Sequence, residues 1–188
     1  MKNTSPKSAT TPRVLIRPPT PANFAAFITA TRRSRALHHR WITPKATTRK
    51  EFAKYRERFD GKNNYGFLVI HRENNAIVGV ININNVVRGA FQSGALGYYA
   101  FSPYAGEGLM FEGMQLVIAH AFGKLKLHRL EANIQPQNSP SIALVKKCEF
   151  TREGVSRRML KICGKWRDHE RWAILAEDFR PNKNVRAS

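Results

Sequence analysis

The chain has 188 residues, 42% of them hydrophobic, which suits one domain with a sizeable core over residues 13–180. It carries 32 Lys plus Arg against 13 Asp plus Glu, and a formal net charge of +19 draws polyanions such as RNA, a ribosomal surface or a heavily phosphorylated cofactor. No apolar run reaches the ~18 residues of a membrane span. Two cysteines make no disulfide framework, and six histidines show no metal-ligand spacing. These features set aside a membrane protein, a secreted disulfide scaffold and a metal enzyme, and they point to the cytoplasm.

In chain order, residues 1–12 are polar and basic and read as a tail. Val14-Leu15-Ile16 begins a strand. Thr20-Pro21 is a helix start, with Phe24, Phe27 and Ile28 as the apolar stripe. Arg32 to His39 is a basic helix or loop, and Thr48 caps a further helix that ends near Gly61. Gly66 to His71, Ala76 to Val87 and Ala95 to Phe101 are strands joined by short turns, an antiparallel meander. A helix over Gly106 to Lys126 presents Met110, Met114, Val117, Ile118, Ala121 and Leu125 on one face. His128 to Ile134 is a strand, and a short helix starts at Pro140 or Ser141 and runs to Lys147. Val155 to Cys163 and Arg171 to Leu175 form a final strand pair, and residues 181–188 read as a second tail. The order predicts a single α/β (α+β) domain, a mixed sheet with helices on both faces.

The charge is uneven. Residues 1–72 hold 16 basic residues and residues 120–188 hold 15, whereas residues 73–119 hold only Arg88. The uncharged middle therefore supplies the central sheet and its buried helix, and the flanks carry the positive field. Within that middle, Tyr104-Ala105-Gly106-Glu107-Gly108-Leu109-Met110 joins a strand to a helix. Glycines there let the backbone turn sharply. The first helical amides lack intrahelical partners and favour an anion, typically a phosphate. Glycines at such a junction are equally ordinary turn residues, and there is no G-x-x-x-x-G-K-[ST] nucleotide loop.

The element order and several phrases resemble the GCN5-related N-acetyltransferases (the GNAT superfamily), and within them the RimJ/RimL branch of ribosomal-protein-alanine N-acetyltransferases. The phrases are Gly106-Glu107-Gly108-Leu109-Met110-Phe111-Glu112, His128-Arg129-Leu130-Glu131-Ala132-Asn133, Pro136-Gln137-Asn138-Ser139-Pro140-Ser141, Glu153-Gly154 and Gly164-Lys165-Trp166-Arg167-Asp168-His169. The resemblance implies a mostly antiparallel sheet splayed at the cofactor site, and acetyl-CoA as cosubstrate with no metal. The Tyr104 to Met110 turn would hold the pyrophosphate, although Pro103 stands where the family usually has Gln or Arg. Tyr99, Ala100 and Phe101 match the strand end that receives the pantetheine arm. Asn138 and Ser141 match positions near the thioester sulfur, and both also suit a helix N-terminus as caps.

The implied reaction is attack of an amine on the thioester. A peptide α-amine, with a reference pKa of about 7.7–8.0, needs only modest help from a base. Glu131 is the first candidate, on a position used as base in a related branch. Glu112 is the second, with helix-dipole complementation as its ordinary reading. Ser141, then Tyr104, would protonate the leaving thiolate, and amides near Ala100 and Phe101 would stabilise the oxyanion. Cys148 offers a covalent route, although most such cysteines are buried and inert. Trp166 and Asp168 would contact the acceptor. Three functions fit. The first is acetylation of a ribosomal protein N-terminus, with the basic flanks meeting RNA. The second is acetylation of a small-molecule amine, and the third is a non-catalytic RNA- or ribosome-binding role on the same fold. Whether the chain is a monomer or a dimer stays open.

Overall fold

The computed structural model describes residues 11–42 and 46–181, so most of both expected tails lies outside the described residues. Seven strands form one sheet: β1 (Val14–Arg17), β2 (Tyr65–His71), β3 (Ile77–Val87), β4 (Ser93–Ala100), β5 (Arg129–Ile134), β6 (Thr151–Ile162) and β7 (Lys165–Leu175). Their spatial order is β1-β2-β3-β4-β5-β7-β6. All neighbours are antiparallel except β4 and β5, which run parallel. The sheet is mixed, mostly antiparallel and open, and helices cover both of its faces.

Among the described residues, five α-helices connect the strands: α1 (Phe24–Arg33), α2 (Arg35–His38), α3 (Arg49–Glu57), α4 (Leu109–Gly123) and α5 (Ser139–Lys147). Strand alternation sorts the side chains onto two faces. On one face Val69, Ile81, Ile83, Leu130, Ala132 and Trp172 pack with Leu109, Met114 and Ile118 of α4 and Val145 of α5. On the other, Leu68, Ile70, Val80 and Phe101 pack with Phe27 of α1 and Phe52 of α3. The run Phe67-Leu68-Val69-Ile70 reads as continuously apolar because β2 is covered on both faces.

Local chemistry sets the helix starts. Thr48 accepts a hydrogen bond from the Glu51 amide, and the Glu51 side chain reaches back, which closes a capping box on α3. Asn138 caps α5 by accepting from the Ser141 amide at 3.3 Å. The sequence expectation for α4 started it too early. Gly108 sits at φ +80° as the residue before the helix, so residues 104–108 are a turn and the helix begins at Leu109. β4 likewise stops at Ala100, one residue short of the expected end. The last two strands are longer than expected, because β6 lies at the sheet edge and lacks the apolar alternation that would mark it.

Candidate active site

The parallel β4–β5 ladder pairs Ser93 with Arg129 and ends at Leu96 with Ala132. Beyond it Gly97 to Ala100 have no partner on the β5 side, and the two strands part at their C-terminal ends. A cleft of about 1010 Å³ opens at this parting and reaches both faces of the sheet. On the α4–α5 side it is lined by Ala105, Gly106, Gly108, Asn138, Ser141 and Lys147. On the other side it is lined by His38, Trp41, Tyr99, Glu131, Asn133 and His169. A ligand can therefore lie through the sheet, with one end on each face.

The turn that precedes α4 is built to hold an anion. Among the described residues, no protein acceptor lies against the amides of Tyr104 to Met110, and the first helical bonds are those of Phe111 and Glu112 to the Gly108 carbonyl. Such amides at a helix N-terminus suit a phosphate by direction and by dipole. Gly106 sits at φ +92° with nothing within 4 Å of the place a Cβ would take, so the approach is open. Lys147, whose Nζ lies 4.5 Å from the Phe111 ring centroid, adds a cation on the same side of the cleft. The cavity, the amides and the cation fit a long phosphorylated ligand.

Beside that turn the hydroxyls of Tyr98 and Ser141 stand 2.6 Å apart. Burial pushes the Tyr98 phenol well above its usual pKa, so it keeps its proton. Sequence reasoning stopped at Tyr99 and missed Tyr98, because strand alternation, not motif, sends Tyr98 toward α5. On the opposite face, Glu131 accepts from Arg129 Nε at 2.7 Å, and Arg129 also forms an ion pair with Glu153. Glu131 remains 40% exposed, so a water can still reach it.

Two histidines also line the cleft and were not foreseen. His38 Nε2 lies 2.7 Å from the Ala100 carbonyl, and its Nδ1 is buried without a partner. His169 Nδ1 donates to the Arg167 carbonyl at 3.0 Å, which leaves its Nε2 as the lone-pair nitrogen. Burial lowers the pKa of both imidazoles. An adjacent His-His pair and a histidine in a polar strand carry no sequence signal for this placement, which long-range pairing creates.

Several expected site residues lie elsewhere. Glu112 is not in the cleft: its carboxylate accepts from the Arg13 amide and side chain, each at 2.7 Å, and ties β1 to α4. Tyr104 accepts from Asn74 at 3.2 Å through its hydroxyl and stacks on His71, away from the sulfur position. The Phe101 amide is spent on the Val78 carbonyl at 2.7 Å and the ring is fully buried, so Phe101 offers no oxyanion donor. The Leu109 side chain is core, leaving only its amide for a ligand, and the Glu107 carbonyl accepts from Arg13. Trp166 and Asp168 point to the face opposite His169. Trp166 is 61% exposed, and Asp168 accepts from the Arg158 amide at the β6 bulge. Cys148 is buried with its thiol pushed up to about 12, which makes it a poor nucleophile.

A split parallel pair with an amide-lined turn at its mouth suits a transferase whose donor is a long phosphorylated carrier. The chain belongs to the GNAT family: the model of the acetyltransferase (GNAT) domain matches residues 13–151. It is an N-acetyltransferase by that membership. A probable N-acetyltransferase, YjcK of Bacillus subtilis, is 36% identical over 130 residues, 69% of this chain and 72% of that protein. The [ribosomal protein uS5]-alanine N-acetyltransferase of Escherichia coli is 38% identical over 107 residues, 57% of this chain and 55% of that enzyme. The structure of Mycobacterium smegmatis RimJ in complex with CoA-disulfide superposes with a TM-score of 0.82 at 26% identity, over 91% of this chain and 86% of that one. Spermidine N-acetyltransferase from Vibrio cholerae, in complex with CoA and spermine, shares the fold at 16% identity, with a TM-score of 0.75 over 88% of this chain and 97% of that one. Among the described residues no helix is long and apolar enough to cross a membrane.

Proposed function

We propose that this protein moves an acetyl group from acetyl-CoA to the N-terminal α-amino group of a ribosomal protein. The observation that carries the reading is the cleft through the sheet, with unpaired amides on one face and a carboxylate on the other. In this reading the amides of Ala105 to Met110 hold the pyrophosphate, with Lys147 beside them. The free edge of Gly97 to Ala100 receives the pantetheine arm. Glu131, through a water, takes a proton from the incoming ammonium. Ser141, backed by Tyr98, donates one to the leaving thiolate.

The acceptor side favours a peptide over a polyamine. Glu131 is the one carboxylate among the cleft-lining residues, and the single Arg129 beside it is shared with Glu153. A polycation would need several unpaired carboxylates, whereas a single α-amine needs one. The likeness to the Escherichia coli enzyme supports the same choice.

The test is calorimetric titration of nucleic-acid-free protein with acetyl-CoA, beside Gly106→Asp. A side chain at Gly106 meets nothing within 4 Å but is strained at φ +92°, so Gly106→Ala serves as the control for the turn while the Asp carboxylate adds repulsion of phosphate. Saturable binding by wild type, weakened at least tenfold in Gly106→Asp, supports the cradle. Acceptors are then compared by thiol release, using Ala- and Ser-initiated ribosomal N-terminal peptides against spermidine. Turnover of spermidine alone would overturn the acceptor, and failure of the folded wild type to bind acetyl-CoA would overturn the transferase reading.

A further inference from the structure

Two stretches of the chain carry cations with no acidic residue among them. No Asp or Glu precedes Glu51, and none lies between residues 154 and 167. The first of these stretches contributes Arg32, Arg33, Arg35 and Arg40 around α2, all exposed. The second is most of the β6–β7 hairpin, which contributes exposed Arg157, Arg158, Lys161, Lys165 and Arg167. The arginine ion pairs lie away from these cations, with Glu112 on Arg13, Glu131 and Glu153 on Arg129, and Glu170 on Arg152. Among the described residues, none of the nine exposed cations has an ion-pair partner.

The two stretches meet in space. Cys163, at the hairpin tip, lies 3.7 Å from the His39 carbonyl just after α2. Both also border the acceptor end of the cleft, where Leu37 and Trp41 come from one and Leu160 and Ile162 from the other. Leu160 pairs with Arg167 and Ile162 with Lys165, so these two cations share the face that looks into the cleft. Trp166 points the other way, paired with Lys161, and stands 61% exposed. Unpaired cations around a concave mouth are what the backbone of a single strand of nucleic acid requires. A bilayer would instead meet a flat basic face.

We propose that this rim binds single-stranded RNA beside the acceptor, with phosphates on Arg35, Arg40, Lys165 and Arg167. The choice of RNA rests on the ribosomal acceptor proposed above. RNA binding itself needs no acetyl-CoA, so its failure is separable from failure of acetyl transfer.

The test is fluorescence anisotropy of a labelled 20-nucleotide single-stranded RNA titrated with the full chain at ~50–200 mM salt. Lys165→Glu/Arg167→Glu is compared with Lys124→Glu/Lys126→Glu. The second pair carries the same charge change at the other end of the sheet, near the start of β5. Melting curves establish that both variants fold. Wild type is expected to bind in the micromolar range. The rim variant should lose at least tenfold, and its salt slope should flatten by roughly 1.4, two phosphate contacts at ~0.7 each. The distal variant should stay within about twofold of wild type. Trp166→Ala, on the far face of the hairpin, should also stay within about twofold of wild type, and a larger loss would move the strand off the cleft side and overturn the rim. Equal losses in the two double variants would show diffuse net charge and overturn the rim. Absence of RNA binding, or tighter rim-dependent binding to phosphatidylserine vesicles, would overturn the RNA assignment.

Discussion

Ser141 has two jobs at once. Its amide is capped by Asn138, and its hydroxyl meets Tyr98 at 2.6 Å, so the cap fixes the position from which the hydroxyl acts. Ser141→Ala keeps the amide and the cap and removes only the donor. It is expected to lower kcat by about tenfold to hundredfold, at the low end for general acid catalysis because a thiolate leaves easily. Tyr98→Phe should lose less, since Ser141 remains. Steady-state thiol release checks both, and unchanged kcat in Ser141→Ala would remove it from the chemistry. Glu112 shows the converse, a residue whose motif position suggests chemistry but whose carboxylate is used up by Arg13.

β3, β4 and α4 converge closely at the cleft. A Cβ on Gly79 would come within 2.4 Å of Met110 Sδ and 2.6 Å of the Tyr99 carbonyl oxygen. The thioether can move, but the carbonyl belongs to the β4 backbone and cannot move without disturbing the strand. Gly79→Ala is therefore expected to destabilise the fold by about 1–3 kcal/mol, the range for overpacking. It should also weaken acetyl-CoA binding, because the displaced strand is the free edge of the cleft. Urea melts and the acetyl-CoA titration check the two effects. A variant as stable as wild type would mean that β4 yields at no cost.

Acid should unfold the whole molecule in two windows. Burial is the main cause lowering the pKa of His38, His120 and His169 below the usual 6.5. The unfolded chain then binds more protons than the native one below that value. Their contribution is fully present above about pH 6.5 and is lost as pH falls toward the native pKa values. The backbone and side-chain hydrogen bonds of Asp60 and Glu51 lower their pKa values too, so their contribution is lost only as pH falls below about 4.5. Melting temperature should therefore decline from pH 7.5 to 5, with a further decline below 4.5. A His38→Gln/His169→Gln variant should show a flatter upper decline. An equally steep one would place the proton uptake elsewhere.

The strands, helices and amide-lined turn were legible in the sequence because each rests on local rules. Apolar periodicity marks α4, Thr48 and Asn138 are caps, and Gly106 and Gly108 permit the turn. The family was legible because phrases spaced along the chain lie in one order. Three other features only the tertiary structure decided. Glu131 faces the cleft while Glu112 does not, Tyr98 rather than Tyr104 meets Ser141, and His169 rather than Trp166 or Asp168 turns inward. Strand register turns Glu131, Tyr98 and His169 toward the cleft, and register is set by pairing with strands far away in sequence, whereas Glu112 and Tyr104 are held off it by Arg13 and by Asn74 and His71. The basic rim has the same origin. Its two halves lie more than a hundred residues apart, and they become one surface because the β6–β7 hairpin closes on α2.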